Sequence, residues 1–361
     1  MNACSPQKPS FELGIMFTHT CNIACRHCGI LSHPKNRNRM AEPDLMALID
    51  DAAALPEAPD LIVFTGGEPF VHPDTLARAL RRCRDQGMPT RVVTNGFWAR
   101  DVGQGLDVLM RMQEAGLNAL NFSADVWHLE FMEAQTLHNA IDCAQLLGFH
   151  VVVNMAVLDD TDVVDQFCTL YGFQRTRVQA LDQAEFFKAQ TDIDLSHKLL
   201  EKIHLSWGRV VRLGRAEQEI SDFNPKPLSY YTNGGCNEVI NRPVIYPDGD
   251  LQACCCAGGK IASFRVGNIH DRPLSDLLAD MRQRSHFRYI NAVGPKALHR
   301  ALAQAKGVTP DEKAFCSICD VCVKLADQLA AKEVDEICEV DVLRRLVMAG
   351  ESLAPEQIVE R

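Results

Sequence analysis

Along the first two thirds of the chain, short apolar runs alternate with stretches whose apolar residues recur at helical spacing. Phe11–Thr18 is nearly all apolar and reads as a buried strand. A polar loop and a helix near Pro43–Leu55 follow it. Leu61–Phe64 reads as a second strand, ending in Gly66-Gly67-Glu68-Pro69. A helix over Pro73–Gln86, with Gly87 as its stop, leads to strands at Arg91–Thr94 and Leu117–Ser123. From His128 to Leu147, the residues Leu129, Met132, Leu137, Ala140, Ile141, Ala144 and Leu147 fall on one helical face, closed by Gly148. Phe149–Leu158 gives a fifth strand and Arg209–Leu213 a sixth. Residues 159–207 show no clear period, apart from an extended reading of Phe173–Leu181. This alternation predicts parallel α/β architecture.

Ser221–Gly235, with its Asn, Pro and Gly residues, breaks the pattern and reads as a linker. Beyond it, Val244–Tyr246 and Leu251–Ala253 flank Pro247-Asp248-Gly249, a hairpin signal. The expected organisation is a core over 1–220, a linker over 221–235, a smaller cysteine-rich α+β domain over 236–345 and a tail over 346–361. A chain of 361 residues, 47% apolar, buries a large core. Its net charge of −10 excludes the basic footprint that phosphate backbones require. Met1–Ser10 shows no secretory signal, and no apolar run approaches the roughly 18 residues of a membrane span. The expectation is a cytoplasmic protein with neither nucleic acid nor membrane as partner.

The 15 cysteines change the picture, because cytosolic thiols stay reduced. Cys83 and Cys143 sit in helical patterns and read as small buried hydrophobes. Cys21-x3-Cys25-x2-Cys28 directly follows the first strand. Three thiolates on one loop hold three irons of a [4Fe–4S] cluster and leave the fourth open. His19, His27 and His33 keep a zinc reading open for the same triplet. Eight more lie at 236, 254, 255, 256, 316, 319, 322 and 338. In an extended chain Cys254 and Cys256 point to one face and Cys255 to the other. Cys316, Cys319, Cys322 and Cys338 also form a thiolate set that suits zinc and iron–sulfur clusters alike.

The triplet and Gly66-Gly67-Glu68-Pro69, at the ends of successive strands, resemble the radical S-adenosylmethionine (SAM) superfamily. Ligands of parallel sheets bind at such strand ends. The resemblance implies a partial (β/α)6 TIM-like barrel, with a [4Fe–4S] cluster on Cys21, Cys25 and Cys28 that binds SAM. It assigns Gly66, Gly67, Glu68 and Pro69 to the methionine amine of SAM, with Glu68 able to pair with the ammonium, and places His27 beside the adenine. Thr94-Asn95-Gly96 is similar to the family's turn after strand three. Ser123, Asn154 and Arg215 of Gly214-Arg215-Ala216 fall where the family lines the SAM pocket or ends strand six. Asp125 and His128, with Glu130 near them, are candidates for handling substrate protons, Asp125 and His128 as catalytic groups.

Cys236, followed by Gly249 and Cys254, resembles the opening of the SPASM domain, which binds auxiliary iron–sulfur clusters. Val266-Gly267-Asn268-Ile269 continues the likeness, whereas Cys316-x2-Cys319-x2-Cys322 and Cys338 depart from the usual spacing. The resemblance implies one or two auxiliary clusters, drawn from Cys236, Cys254, Cys316, Cys319, Cys322 and Cys338. It also implies a reductant such as flavodoxin or ferredoxin and reductive cleavage of SAM to a 5′-deoxyadenosyl radical that abstracts a substrate hydrogen. Relatives with this second domain mostly modify peptides or proteins, through oxidation or crosslinking. Only about ten residues precede the first strand, so a leader-binding protein is expected to be separate or unnecessary. A radical SAM dehydrogenase or tailoring enzyme acting on a small molecule such as a sugar or cyclitol is the alternative reading. A non-catalytic electron-transfer protein is the distant one.

Overall fold

The computed structural model describes residues 10–182, 200–255, 259–329 and 333–348. Its ten strands form one sheet, in the order β10-β9-β8-β1-β2-β3-β4-β5-β7-β6. The parallel run comprises β1 (Glu12–Thr18), β2 (Leu61–Gly66), β3 (Thr90–Thr94), β4 (Ala119–Ser123), β5 (Val151–Val157) and β7 (Ile203–Arg209), with short β6 (Val178–Ala180) beside β7. Helices α1 (Glu42–Ala53), α2 (Pro73–Asp85), α3 (Val102–Ala115), α4 (Ala134–Leu146) and α5 (Val163–Tyr171) cross between these strands. This is the partial (β/α)6 barrel. All seven residues of β1 are buried, which is why its sequence is a run rather than an alternation.

The chain then passes through α6 (Arg215–Glu219) to β8 (Val244–Ile245), β9 (Asp250–Gln252) and β10 (Arg265–Asn268). Five helices close it: α7 (Leu274–Gln283), α8 (Ser285–Ala292), α9 (Pro295–Ala305), α10 (Ile318–Leu329) and α11 (Glu333–Met348). The predicted hairpin forms, with Val244 opposite Gln252 and Gly249 at φ +85°. β8 also pairs in parallel with β1, Gly14 opposite Val244, so the hairpin extends the barrel sheet. A side chain at Gly14 would meet Val244 Cγ2 at 3.0 Å, so the glycine permits this pairing. Within 221–235, Lys226 exchanges backbone hydrogen bonds with Phe315 (2.8 and 3.0 Å), which ties this stretch to the residue before Cys316.

Three elements differ from the sequence expectation. The helix read from His128 begins at Ala134, because the Asp125 carboxylate accepts the N–H groups of Trp127 and His128 and turns the chain there. α3 was not expected; Gly103 and Gly105 in its first turns mask it, although Asp101 caps it by accepting from Gln104 N (2.8 Å) and Gly116 ends it at φ +117°. The sixth barrel strand is Ile203–Arg209 rather than Arg209–Leu213. His204, Ser206 and Gly208 interrupt its apolar pattern, yet pairing with β5 buries Ile203, His204 and Leu205. Phe173–Leu181 is extended in part, as β6. Cys83 and Cys143 are fully buried on α2 and α4. Among the described residues, no helix is long and apolar enough to cross a membrane.

One buried charge fastens the hairpin's approach to the barrel. Glu12, 4% exposed on β1, reaches Arg91 of β3 (2.5 Å) and Arg242 ahead of β8 (3.2 Å). Removing one partner of a buried ion pair leaves the other uncompensated. Glu12→Gln should therefore lower unfolding free energy by about 3 kcal/mol in chemical denaturation; an unchanged midpoint would show that solvent reaching the two arginines replaces the carboxylate.

Candidate functional site

The cysteine loop leaves β1 and folds back along it. Cys21 N donates to His33 O (3.4 Å), Cys28 N to Cys25 O (3.1 Å) and Ser32 N to the Cys28 sulfur (3.3 Å). Cys21 and Cys25 are buried and Cys28 is partly so. Burial, then the charge of Glu68 and the neighbouring Cys25 and Cys28 thiols, pushes the Cys21 thiol up to about 12. The three thiols thus sit together on one short loop, two of them buried. Thiols crowded this way become thiolates readily only when a metal replaces their protons.

Glycine backbones and one arginine hold this loop. A Cβ on Gly66 would lie 2.2 Å from Thr18 O, and one on Gly67 would lie 2.2 Å from Thr20 O. Gly67 N and Glu68 N donate to those same carbonyls (2.7 and 2.9 Å). On the other side, Arg215 donates to Cys25 O (2.7 Å) and Ser32 O (2.8 Å), and its backbone N donates to Cys28 O (3.0 Å). Arg215 therefore positions the loop through its carbonyls. Gly214, at φ +62°, stands so close that a Cβ would lie 2.4 Å from Gly29 O.

The Glu68 side chain is engaged by the protein itself. Its carboxylate is fully buried and accepts from Phe70 N (3.1 Å), Thr94 Oγ1 (2.8 Å) and Asn95 N (2.7 Å). Burial pushes its pKa up to about 7, against these three donors. Its acceptor capacity goes to fixing the turn after β3. Pro69 opens a short 3₁₀ turn beside it. Asn95, aligned by that turn, donates from Nδ2 to Asn22 Oδ1 (2.9 Å) in the cysteine loop.

The loop after β4 supplies the remaining polar groups. Asp125, 1% exposed, accepts from His128 Nδ1 (2.9 Å) at one oxygen and lies 3.4 Å from His27 Nε2 at the other. Burial opposes charge on His128, but Asp125 outweighs it and holds the imidazole well above its ordinary pKa. Burial lowers His27 to about 4, so a single carboxylate supports a single imidazolium. His27 Nδ1 is buried with no hydrogen-bond partner among the described residues, which leaves it free for a ligand at this site. Sequence reasoning missed Trp127, whose ring packs on His27 at 4.8 Å, and Tyr171, whose hydroxyl donates to Asp125 O (2.9 Å). It missed also the Arg26–Glu130 ion pair across the loop. Trp127 lies between Asp125 and His128, and Glu130 beside them, positions that the sequence singled out; Tyr171 and Arg26 carried no such signal. His128, Asn95, Ser123, Met132, Glu133 and Tyr171 line one cavity. Asn154 sits opposite Ser123 in the sheet register.

A second thiol site lies in the carboxy-terminal part. Cys236, Cys254, Cys319 and Cys322 line one cavity, walled otherwise by Val239, Ile261, Phe264, Ile290, Pro295 and Ile318. Cys236 is placed by its N–H to Ile290 O (2.9 Å), and Cys254 follows β9. Cys319 and Cys322 are three residues apart on the first turns of α10 and so share a face. That helix start is fixed by Asp320 N donating to Ser317 Oγ (3.1 Å) and Cys316 N donating to Asp320 Oδ2 (3.1 Å). Burial pushes Cys319 and Cys322 well above the usual thiol range, with Cys254 adding to it. Four thiols in an apolar cavity fit an iron–sulfur cluster with no open position.

Cys316 and Cys338, expected among the ligands, do not line this cavity. Cys316 lies by Arg212, Asp320 and Arg209, and the surroundings of Cys338 are Asp335, Asp341 and Glu339 of its own helix. The four-thiolate zinc set that needed both is not assembled. Cys255 is exposed, near Glu238, and Cys256 lies outside the described residues.

Residues 15–162 match the sequence model of the radical SAM superfamily, and residues 236–322 match that of the SPASM iron–sulfur cluster-binding domain. A Bacillus subtilis protein named for peptide biosynthesis, YydG, is 26% identical over 141 residues, 39% of this chain and 44% of its own. Human molybdenum cofactor biosynthesis protein 1 is 26% identical over 285 residues, covering 69% of this chain and 42% of that protein. The chain thus spans less than half the length of these curated relatives. The solved structure of native anSMEcpe, with bound AdoMet and a Cp18Cys peptide, shares the fold at a TM-score of 0.51 and 13% identity, covering 92% of this chain and 99% of that one.

The two thiol sites differ in what their loss removes. After anaerobic reconstitution, Ala at Cys236, Cys254, Cys319 or Cys322 should each cost about four irons per chain, whereas Cys316→Ala and Cys338→Ala keep the full content. Loss of iron from the Cys316 variant would place that thiol among the ligands.

Proposed function

This chain belongs to the radical SAM superfamily and carries a SPASM domain, and we propose that it is an oxidative peptide-modifying enzyme. The convergence of Cys21, Cys25 and Cys28 beside the unpartnered Nδ1 of His27 carries this reading. A [4Fe–4S] cluster on these thiolates, with SAM at its open iron, would supply on one-electron reduction a 5′-deoxyadenosyl radical and methionine, the radical then taking a substrate hydrogen.

The chain's own residues bind, orient and shield. Arg215 and the glycines fix the loop, so that the three sulfurs keep their spacing. His27, packed on Trp127, offers its free ring nitrogen to the adenine of SAM. Asn95 after β3, Ser123 at the end of β4 and Asn154 opposite it in β5 would border the cofactor. His128 lines the cavity with its Nδ1 proton held against Asp125, the arrangement a group needs to exchange a proton with substrate. Cys236, Cys254, Cys319 and Cys322 would hold a closed cluster, which would supply a one-electron acceptor for a net oxidative change.

The likeness to YydG, named for peptide biosynthesis, favours a peptide or protein substrate, with crosslinking or oxidation as the change made. A separate leader-binding protein would then present the peptide, and flavodoxin or ferredoxin would supply electrons. A small-molecule substrate is the second reading. It is favoured by the longer match to molybdenum cofactor biosynthesis protein 1.

Reconstituted protein reduced with dithionite and given SAM should release 5′-deoxyadenosine. Cys21→Ala, Cys25→Ala and Cys28→Ala should each reduce that release to background, while retaining the irons of the second site. Release unaffected by all three variants would contradict the assignment.

A further inference from the structure

The segment after the cysteine loop carries a charge pattern unlike the rest of the barrel. In a chain of net charge −10, Lys35, Arg37 and Arg39 are three exposed cations at alternate positions. Among the described residues none of them forms an ion pair with a carboxylate; Arg39 meets only the ring nitrogen of His72 at 3.3 Å. Glu42, on which Arg39 also acts, is already held by Arg78 (2.5 and 2.7 Å). Several other exposed barrel arginines have acidic partners: Arg82 with Asp50, Arg84 with Asp85, Arg111 with Asp74. Burial lowers the pKa of His72, and the charges of Arg39 and Arg37 add to that effect.

This segment is rigid and sits against the iron-binding loop. His19 N donates to Asn38 O (2.8 Å), Thr20 Oγ1 to Asn36 O (2.8 Å), Met40 N to Phe17 O (2.9 Å) and Cys21 N to His33 O (3.4 Å). A main-chain hydrogen bond thus runs from a cluster-ligand residue to the base of the cationic segment. None of residues 33–40 lines the cavity beside His128. The cations therefore lie outside that cavity, on the segment hydrogen-bonded to the cysteine loop.

We propose that Lys35, Arg37 and Arg39 are the docking surface for a small acidic one-electron carrier protein, which delivers its electron to the cysteine-loop site. This rests on the reading that Cys21, Cys25 and Cys28 hold a redox-active cluster. In the step, the reduced carrier loses one electron and the site gains one, with no bond made or broken. Unpaired cations beside the acceptor attract an acidic carrier to this one face, while the remainder of an acidic protein repels it. Steering of this kind raises association rates by roughly ten-fold or more and weakens with salt.

The test uses the full-length reconstituted protein and two reductants, flavodoxin hydroquinone and dithionite, with reduction followed by absorbance and by EPR. Lys35→Glu/Arg37→Glu/Arg39→Glu should slow reduction by flavodoxin about ten-fold or more at low salt and remove most of its salt dependence. The dithionite rate should be unchanged. The same reversal at Arg81 and Arg100, exposed cations elsewhere on the barrel, should leave both rates as in wild type. An unchanged flavodoxin rate in the triple variant overturns the proposal, and an acidic peptide that binds wild type but not the variant would then make the patch a substrate surface. If the triple reversal also abolishes dithionite reduction, the neutral Lys35→Gln/Arg37→Gln/Arg39→Gln variant decides: it must slow flavodoxin alone, or the proposal fails. Wild-type protein that takes up no iron at the cysteine loop would instead sink the reading of the site itself, and the proposal with it.

Discussion

The cysteine loop is held by main chain packed on main chain. At four places around it, a single added carbon would meet a carbonyl oxygen within 2.7 Å: Gly66 and Gly67 against Thr18 and Thr20, and Gly214 and Gly259 both against Gly29. These glycines come from the end of β2, from the segment after β7 and from the segment after Cys254. A loop carrying three thiols is thus pinned by backbone contacts without side chains filling the space where a cofactor belongs. The same packing makes the loop a joint between barrel and carboxy-terminal part, because Gly259 belongs to the segment that also supplies the second thiol site. Together with the pairing of β8 on β1, it gives the two sites a common rigid support.

Three buried carboxylates show how the fold divides its charges. Glu12 is neutralised by two arginines and locks strands together at the far end of β1. Glu68 has no ion-pair partner among the described residues, takes three neutral donors and is pushed toward the protonated form by burial, which outweighs those donors and the charge of His128. Asp125 lies between two imidazoles and keeps its charge, because His128 accepts the compensating proton. Asp125 bonds His128, which lines the cavity. The positive charge it sustains borders Cys25, so the site joins a thiol-rich region to one immobilised imidazolium.

Much of this was legible in the sequence because it follows from period and spacing. Five of the six barrel strands, the hairpin and the triplet of thiols lie within a few residues of where the apolar pattern and the turn residues put them. α3 and the strand at Ile203–Arg209 were not, since glycines in one and polar residues at alternate positions in the other hide patterns that only sheet pairing restores. Of the site, the positions were legible but several jobs were not. That Glu68 would turn inward, or that Arg215 would reach carbonyls 183 and 190 residues away in sequence, depends on tertiary contact. The division of the carboxy-terminal cysteines was likewise hidden: only the folded hairpin and the capped start of α10 separate Cys319 and Cys322 from Cys316.

The central claim is that one thiol set leaves an iron open to SAM and the other does not. EPR of the reduced, fully reconstituted protein, recorded with and without SAM, tests it most directly. SAM should alter the signal of one cluster only, and that signal should be the one missing from Cys21→Ala/Cys25→Ala/Cys28→Ala. The signal that depends on Cys236, Cys254, Cys319 and Cys322 should be unmoved. A spectrum indifferent to SAM, or a shift confined to the second cluster, would contradict the account.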